Sequence, residues 1–190
     1  GLLIALLVLT LKEPNRQYID KNRSKGFNSI TRTFNYFGDH KKLFTKLFIL
    51  PVTMTIITYS HNFIPSLFQR EYGWDPVTLS IYIGTIIGLV GPCSTFFGGW
   101  LIDKMHSKGI EDASIIIMRI GGVIMVPTCI AMPLMPSPQL ALVFYGFSLC
   151  GVTLITVSAW SSILGIVPPD LRGQATAIYL MVISMFGLML

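Results

Sequence analysis

Hydrophobic residues in this chain come in long runs that are separated by short polar segments. Four of the runs are long enough to cross roughly 30 Å of hydrocarbon as helices. These runs are residues 47–68, 77–102, 113–135 and 139–167. The pattern therefore predicts an all-α membrane protein whose helices pack as a bundle.

Shorter apolar stretches stand at both ends of the chain, at residues 1–11 and 174–190. Each is shorter than the run of about 20 residues that a comfortable crossing needs. The first also lacks the basic flank and the cleavage site of a signal peptide. We expect both stretches to be parts of cut helices.

Proline and glycine modify two of the predicted spans. Pro51 and Pro65 interrupt the first span, and the backbone groups that they free must be satisfied by neighbouring helices. In the second span, Pro92 predicts a kink. Small residues recur in the second span at about four-residue spacing, which lets another helix approach closely. These residues are Gly84, Gly88, Gly91, Gly98 and Gly99.

The net charge of +5 is concentrated in one segment. Residues 12–46 carry nine Lys or Arg and three Asp or Glu, and nine minus three leaves +6 there. The segments 12–46, 103–112 and 168–173 together hold twelve Lys or Arg, whereas 69–76 and 136–138 hold one. By the positive-inside rule, the three basic loops are predicted to be cytoplasmic and the two short turns to face outward. Membrane topology thus explains the charge without a nucleic-acid partner.

The second half of the basic segment has an amphipathic pattern. Ile30, Phe34 and Phe37 fall at positions i, i+4 and i+7. This spacing predicts a short helix at the membrane interface. A solvated linker is an equally good interpretation of the same residues.

The composition narrows the possible functions. The chain is 52% hydrophobic and 12% charged, about half the charged fraction of an average soluble domain. Cys93, Cys129 and Cys150 lie in apolar runs without metal-ligand spacing, and we expect buried free thiols. The sequence has no H-E-x-x-H motif, no carboxylate pair inside a span and no activated-serine signature. It therefore predicts neither an enzyme nor a cofactor.

Polar side chains follow one face of the first span. Polar groups at this depth usually face a bundle interior or a cavity, and solute sites form where helices are broken. We therefore predict that Tyr59, His61 and Asn62 contact a solute. Hydrogen bonding between helices explains the pattern without a solute, and a single intramembrane histidine is more often scaffolding. Within an arc of about 100° lie Thr55, Thr58, Tyr59, Asn62 and Ser66, with His61 at its edge.

The fourth span carries a second candidate face. Tyr145, Thr153, Thr156 and Trp160 fall within about 80° of one another on a helix. Aromatic rings and hydroxyl groups together suit an amphiphilic solute. We therefore predict solute contacts for Tyr145, Thr156 and Trp160, with aromatic core packing as the alternative.

The polar segment after the second span carries a recognisable motif. It reads Gly-Trp-Leu-Ile-Asp-Lys-Met-His-Ser-Lys over residues 99–108. This resembles the G-x-L-x-D-[RK]-x-x-x-[RK] loop signature of the major facilitator superfamily, although Gly109 stands where a further basic residue is often found. The matching residues are Gly99, Leu101, Asp103, Lys104 and Lys108.

Other turns extend this resemblance over the whole chain. Pro168-x-x-x-Arg172-Gly173 is similar to the P-x-x-x-R-G turn that precedes helix eleven in these transporters. With the turn at residues 72–74, Gly91-Pro92 and residues 112–113, the chain looks most like the spinster-like branch.

The resemblance implies an architecture. Residues 1–11 would end helix six, residues 12–45 would form the central cytoplasmic loop, and residues 46–190 would form helices seven to eleven of an incomplete C-terminal half. The missing N-terminal half of the same transporter would then be a partner, and this chain alone would not transport.

The resemblance also implies a cytoplasmic gate. Asp103 would bond the other half of the transporter there, with Gly99, Lys104 and Lys108 beside it, and Arg172 would act as a latch. Because the helix dipole disfavours a carboxylate at a helix C-terminus, Asp103 needs a compensating partner. A fixed topology-setting charge is the alternative for Asp103, and a simple positive-inside anchor is the alternative for Arg172.

Together these features predict secondary active transport of a small organic or amphiphilic solute by alternating access, in the plasma (inner) membrane. The expected partners are membrane lipids, the solute and a coupling ion, either a proton or sodium. No Asp or Glu lies inside a predicted full span, so a proton-coupling carboxylate would have to lie in the missing half. A non-transporting polytopic scaffold or receptor is the alternative.

Overall fold

The computed structural model of the chain describes residues 27–169 and 171–188. The predicted end of helix six and the first half of the predicted 12–45 loop lie outside the described residues. Within the described ranges, seven α-helices follow one another, and short 3-10 turns stand at His61–Phe63 and Met132–Leu134. The α-helices are α1 (Phe27–Asp39), α2 (Lys41–Ser60), α3 (Ile64–Glu71), α4 (Pro76–His106), α5 (Ala113–Ala131), α6 (Pro138–Ile166) and α7 (Arg172–Leu188).

Local sequence determines where α4 begins and ends. The Asp75 carboxylate accepts the Val77 backbone N–H at 3.0 Å, and Pro76 occupies the first helical turn, where no N–H is needed. Gly73 and Gly109 have φ values of 63° and 80° in the turns on either side of the helix. Only glycine adopts that conformation without steric cost, so both turns depend on these residues.

Within the described residues, four segments are long and apolar enough to cross a membrane. They confirm the four predicted spans and the predicted all-α membrane bundle, although the first two extend beyond the C-terminal ends of their apolar runs. One consequence concerns Asp103 and Lys104, which belong to the last turns of α4 rather than to the following loop. The segments are Leu47–Glu71, Pro76–His106, Ala113–Leu134 and Pro138–Ile166.

The two ends of the bundle differ in their connections. At one end, here called the turn end, the Tyr72 hydroxyl donates to the Met135 carbonyl at 2.7 Å and joins the two short turns. The opposite end, here called the basic end, contains α1 and the connections 107–112 and 167–171. There the Tyr36 hydroxyl donates to the Ile166 carbonyl at 3.1 Å. The described parts of the basic loops thus share one end of the bundle, as the sequence predicts.

A short helix, α1, is present where the amphipathic pattern predicts one, and the face that it turns towards the described helices is not simply the apolar one. Phe34 is 53% exposed, whereas Thr33 is fully buried. The Thr33 hydroxyl donates to the Gln174 side-chain oxygen at 2.8 Å, and the Phe37 ring packs on Phe44. Contacts with α2, α6 and α7 decide the orientation, and they select a face that includes a threonine.

The closest helix contact lies between α5 and α6, not along the predicted glycine row of α4. A Cβ atom added to Gly151 would stand 2.7 Å from the Gly121 carbonyl oxygen. In α4, only the predicted contact at Gly98 appears, where an added Cβ would stand 2.8 Å from Leu154 Cδ2. Nothing described lies within 4 Å of a Cβ added at Gly84, Gly88, Gly91 or Gly99.

The three cysteines are free, as predicted. The expectation that all three are buried is wrong for Cys93, which is exposed, while Cys129 and Cys150 are half-buried. Cys93 borders an open groove between α4 and α6.

Candidate functional site

The first span is broken near its middle. α2 ends at Ser60, the 3-10 turn His61–Phe63 follows, and α3 begins at Ile64. Pro65 in the first turn of α3 has no N–H to donate to the His61 carbonyl, which instead accepts from the Ile64 N–H. The break therefore follows directly from Pro65, and it leaves polar groups in the middle of an apolar segment.

The His61 side chain points from this break towards α6. Its Nε2 atom lies 3.2 Å from the Ser148 hydroxyl oxygen, at hydrogen-bond distance. Its ring also meets the Tyr145 ring edge-on, with 5.3 Å between the centroids. Ser148 is fully buried and Tyr145 is 5% exposed. Of the predicted solute-binding residues, His61 and Tyr145 are thus in direct contact.

Tyr59 and Asn62 have a different environment. Tyr59 is 37% exposed, and Asn62 is also exposed, on a surface that the other described helices leave uncovered. The threonines of the predicted stripe bond within their own helix. The Thr55 hydroxyl donates to the Pro51 carbonyl and the Thr58 hydroxyl to the Met54 carbonyl, both at 2.8 Å. Thr58 and Ser66 are exposed as well, so most of the stripe is accessible and Thr55 is its buried member.

The predicted residues of α6 face α2 and α7. The Thr156 hydroxyl donates to the Val152 carbonyl at 2.9 Å and lies 3.2 Å from the Met54 sulfur. The Trp160 ring meets the Tyr179 ring of α7 edge-on, with 5.6 Å between the centroids. Tyr145, Thr156 and Trp160 thus lie at successive levels along the same side of the bundle.

Sequence reasoning missed Ser148 and Tyr179. Ser148 lies one turn beyond Tyr145 and shares its face, so the helical spacing could have indicated it. Tyr179 could not be found in that way. Its contact with Trp160 joins two helices whose relative rotation the sequence does not specify.

The predicted gate residues lie at the basic end, on α4, the following turn and α7. Asp103 is exposed, and no described residue forms an ion pair with it. The Lys104 ammonium lies 4.5 Å from the centroid of the Trp100 ring, a cation–π contact. Gly99 is half-buried one turn before Asp103, and Lys108 is exposed beyond the helix end.

Arg172 stabilises its own loop. Its Nε atom donates to the Val167 carbonyl at 3.1 Å. The bond closes the connection between α6 and α7, and the side chain remains half-buried. This contact leaves both the anchor and the latch interpretations of Arg172 as predictions.

A groove between α4 and α6 was not predicted. Its volume is about 700 Å³, and it opens beside Gly146, where an added Cβ would stand 3.7 Å from Ile86 Cγ2. None of the predicted site residues lines it. Its walls include Tyr82, Ile86, Val90, Leu142, Gly146 and Phe147.

In the described part of the chain, no three His, Cys, Asp or Glu side chains come together as a metal site requires. The polar side chains that meet at the break are the buried Ser148 hydroxyl, the buried Tyr145 phenol and the half-buried His61 imidazole. This donor set suits hydrogen bonding to a solute.

The arrangement defines a polytopic helical membrane protein with a polar break at mid-span. The family model of the Major Facilitator Superfamily matches residues 1–190. The chain therefore belongs to the major facilitator superfamily, a family of membrane transporters, as its loop motifs predict. No curated protein matches the chain.

A solved structure with a similar fold is that of a bacterial homologue of the human lysosomal transporter Spinster, in an inward-facing and unoccupied conformation. The TM-score is 0.67 and the sequence identity is 23%. The match covers 98% of this chain and 39% of the homologue, so the chain spans well under half of that transporter. The predicted likeness to the spinster-like branch is thus confirmed at the level of the fold.

Proposed function

We propose that this chain is part of a secondary transporter of the spinster-like branch that moves a small organic or amphiphilic solute by alternating access. The observation that carries the proposal is the break at His61–Phe63, from which His61 bonds buried Ser148 beside Tyr145. Apolar bundles rarely contain such groups without a function, because each polar group in hydrocarbon is costly. In transporters, solute sites lie near the membrane midplane where helices are interrupted.

The solute would contact the uncovered side of α2 beside this break. Tyr59 and Asn62 are exposed there and supply a ring, a hydroxyl and an amide. His61 and Tyr145 form the floor, and Thr156 and Trp160 continue towards the basic end. Such a mixture of aromatic surface and few polar groups suits a solute with an apolar body and a polar head.

The gate would lie at the basic end, which we propose to be cytoplasmic because it carries the basic loops. Asp103 is exposed near the C-terminus of α4, where the helix dipole raises the energy of a carboxylate. A cationic or hydrogen-bond donor group on the other half of the transporter would stabilise it in one state and release it in the other. Lys104, held over Trp100, would remain beside this contact.

Flux measurements with a matched pair of variants test the gate. The complete transporter that contains this chain is reconstituted in vesicles, and uptake is measured for single-chain amphiphiles with different head groups and for small carboxylates. We expect Asp103→Ala to lose most of the flux at unchanged expression. Asp112→Ala is the control, because Asp112 is an exposed carboxylate at the same end of the bundle, in the connection that follows α4, and its side chain makes no cap bond.

The outcomes separate the possible functions. Equal flux in the two variants would contradict the gate role of Asp103. No flux above protein-free vesicles for any solute would favour the scaffold or receptor alternative.

Accessibility measurements test the site. In a Cys93→Ser background, which removes the exposed native thiol, Tyr59→Cys and Asn62→Cys should react with a membrane-impermeant thiol reagent. A transported solute should slow the reaction. Fully protected thiols at both positions would mean that no water-filled cavity reaches this face.

A further inference from the structure

We propose that His61 is the proton-binding group that couples transport to a pH gradient, with Ser148 as the residue that positions it. The inference rests on the proposed transport function and names the coupling ion at the same site. His61 lies at the broken centre of a span, half-buried between α2 and α6, so its ring contacts the protein interior and is still partly accessible.

The partner of His61 is suited to both protonation states. A serine hydroxyl has one donor hydrogen and two acceptor lone pairs, so it can donate to a neutral ring nitrogen or accept from a protonated one. At a distance of 3.2 Å, the Ser148 oxygen keeps a bond to Nε2 in either case. A backbone carbonyl could only accept, and a carboxylate would hold the ring in its charged form. The edge-on Tyr145 ring keeps the imidazole in place while the proton is exchanged.

Among the helices that the structure describes, no charged side chain lies beside His61 at the level of the break. α6 has no charged residue between Pro138 and Ile166, and Tyr145 is the titratable side chain of α6 that contacts the ring. On α2 the charges are confined to lysines near its first turns, and Arg70 and Glu71 lie at the far end of α3. Arg119 on α5 is exposed near the basic end.

Protonation therefore places an isolated positive charge in the span, which is costly in hydrocarbon. One proton from water adds to a ring nitrogen when the site opens to one side, and the imidazole gains one positive charge. The same proton returns to water when the site opens to the other side. The proton and the solute bind at one site. A solute that binds more tightly when the ring is charged therefore also favours protonation of the ring.

Two assays on the same vesicles separate coupling from transport. The first follows exchange of a labelled probe across the membrane without a gradient, using a single-chain phosphate amphiphile and benzoate in turn. The second follows accumulation of the exchanged probe under an imposed pH gradient, with proton flux read from a trapped pH-sensitive dye. Exchange requires the site to open to each side of the membrane in turn, but it requires no net movement of protons.

The His61→Gln variant should lose both the accumulation and the proton flux, and this loss should far exceed the fall in exchange that comes from altering a residue of the solute site. Glutamine can still bond Ser148 but does not take up a proton. His40→Gln is the matched control, because His40 is exposed and its ring nitrogen bonds only the Tyr36 carbonyl of its own segment. We expect His40→Gln to behave as the wild type in both assays.

Ser148 tests the positioning role. Without the hydroxyl, the charged ring loses a charge-assisted hydrogen bond, so the pH profile of accumulation in Ser148→Ala should move towards acid by about one unit. Ser148→Thr keeps a hydroxyl and should restore the profile. A merely structural serine would change exchange and accumulation together and leave the profile in place.

Gradient-driven accumulation by His61→Gln at the wild-type level would overturn the proposal while leaving the transport function intact. If His61→Gln loses exchange as well, the pH profile of accumulation in Ser148→Ala becomes the deciding test. A profile that does not shift in that variant overturns the proposal. Failure of the wild type to exchange either probe or any other solute of the panel would instead overturn the transport function, and the coupling proposal with it.

Discussion

The contact between Gly151 of α6 and Gly121 of α5 makes a quantitative prediction about the bundle. A Cβ atom at Gly151 would stand 2.7 Å from the Gly121 carbonyl oxygen, 2.8 Å from Met125 Cβ and 2.9 Å from the Met125 backbone nitrogen. Two of these three atoms belong to the backbone of α5, so no rotation of a side chain can relieve the contact. The two helices would have to move apart by about 0.3–0.7 Å, since real Cβ contacts essentially never lie under 3.0 Å and most lie beyond 3.4 Å.

The cost of Gly151→Ala follows from these distances. Overpacking a well-packed interface costs about 1–3 kcal/mol. Replacing glycine by alanine inside a helix returns up to about 1 kcal/mol. We therefore expect a net destabilisation of about 1–2 kcal/mol. Gly165→Ala is the control on the same helix, because an added Cβ there meets no described atom within 4 Å. The control should be neutral or slightly stabilising.

The measurement is the free energy of unfolding of the complete transporter in mixed micelles at increasing SDS fraction, followed by circular dichroism. Gly121→Ala should resemble Gly151→Ala, because its Cβ would stand 2.9 Å from the Gly151 carbonyl oxygen. Equal stability of Gly151→Ala and Gly165→Ala would refute the close α5–α6 contact.

Two hydroxyl bonds at opposite ends of the bundle make further predictions. Tyr72→Phe removes the 2.7 Å bond to the Met135 carbonyl and should cost about 0.5–1.5 kcal/mol, with faster amide exchange in both short turns and unchanged exchange at the basic end. Tyr36→Phe removes the 3.1 Å bond to the Ile166 carbonyl at a similar cost, and here α1 should exchange faster while the short turns keep wild-type rates. An exchange pattern that is the same in the two variants would contradict the separate roles of these bonds.

Local composition was enough to predict the spans, the loops and the family. The length of an apolar run such as residues 113–135 shows whether it can span the bilayer as a helix, and this comparison of lengths needs no partner helix. The loop motif around Asp103 and Lys104 is a local string of residues, and the family match confirms what it indicates. Pro65 likewise predicted the break in the first span, because a missing N–H acts within one turn. Pro51 was expected to interrupt this span as well, but it lies inside the continuous helix α2.

The partners across helices were decided by the tertiary structure. The sequence placed His61 at the edge of a polar stripe, and only the packing of α2 on α6 brought it to Ser148. The sequence placed the close contact on the glycines of α4, whereas α5 and α6 meet at Gly121 and Gly151. Helical periodicity shows which residues share a face, but the neighbour of that face depends on the rotation and register of another helix. Those two quantities are fixed by packing between distant segments, and no local pattern contains them.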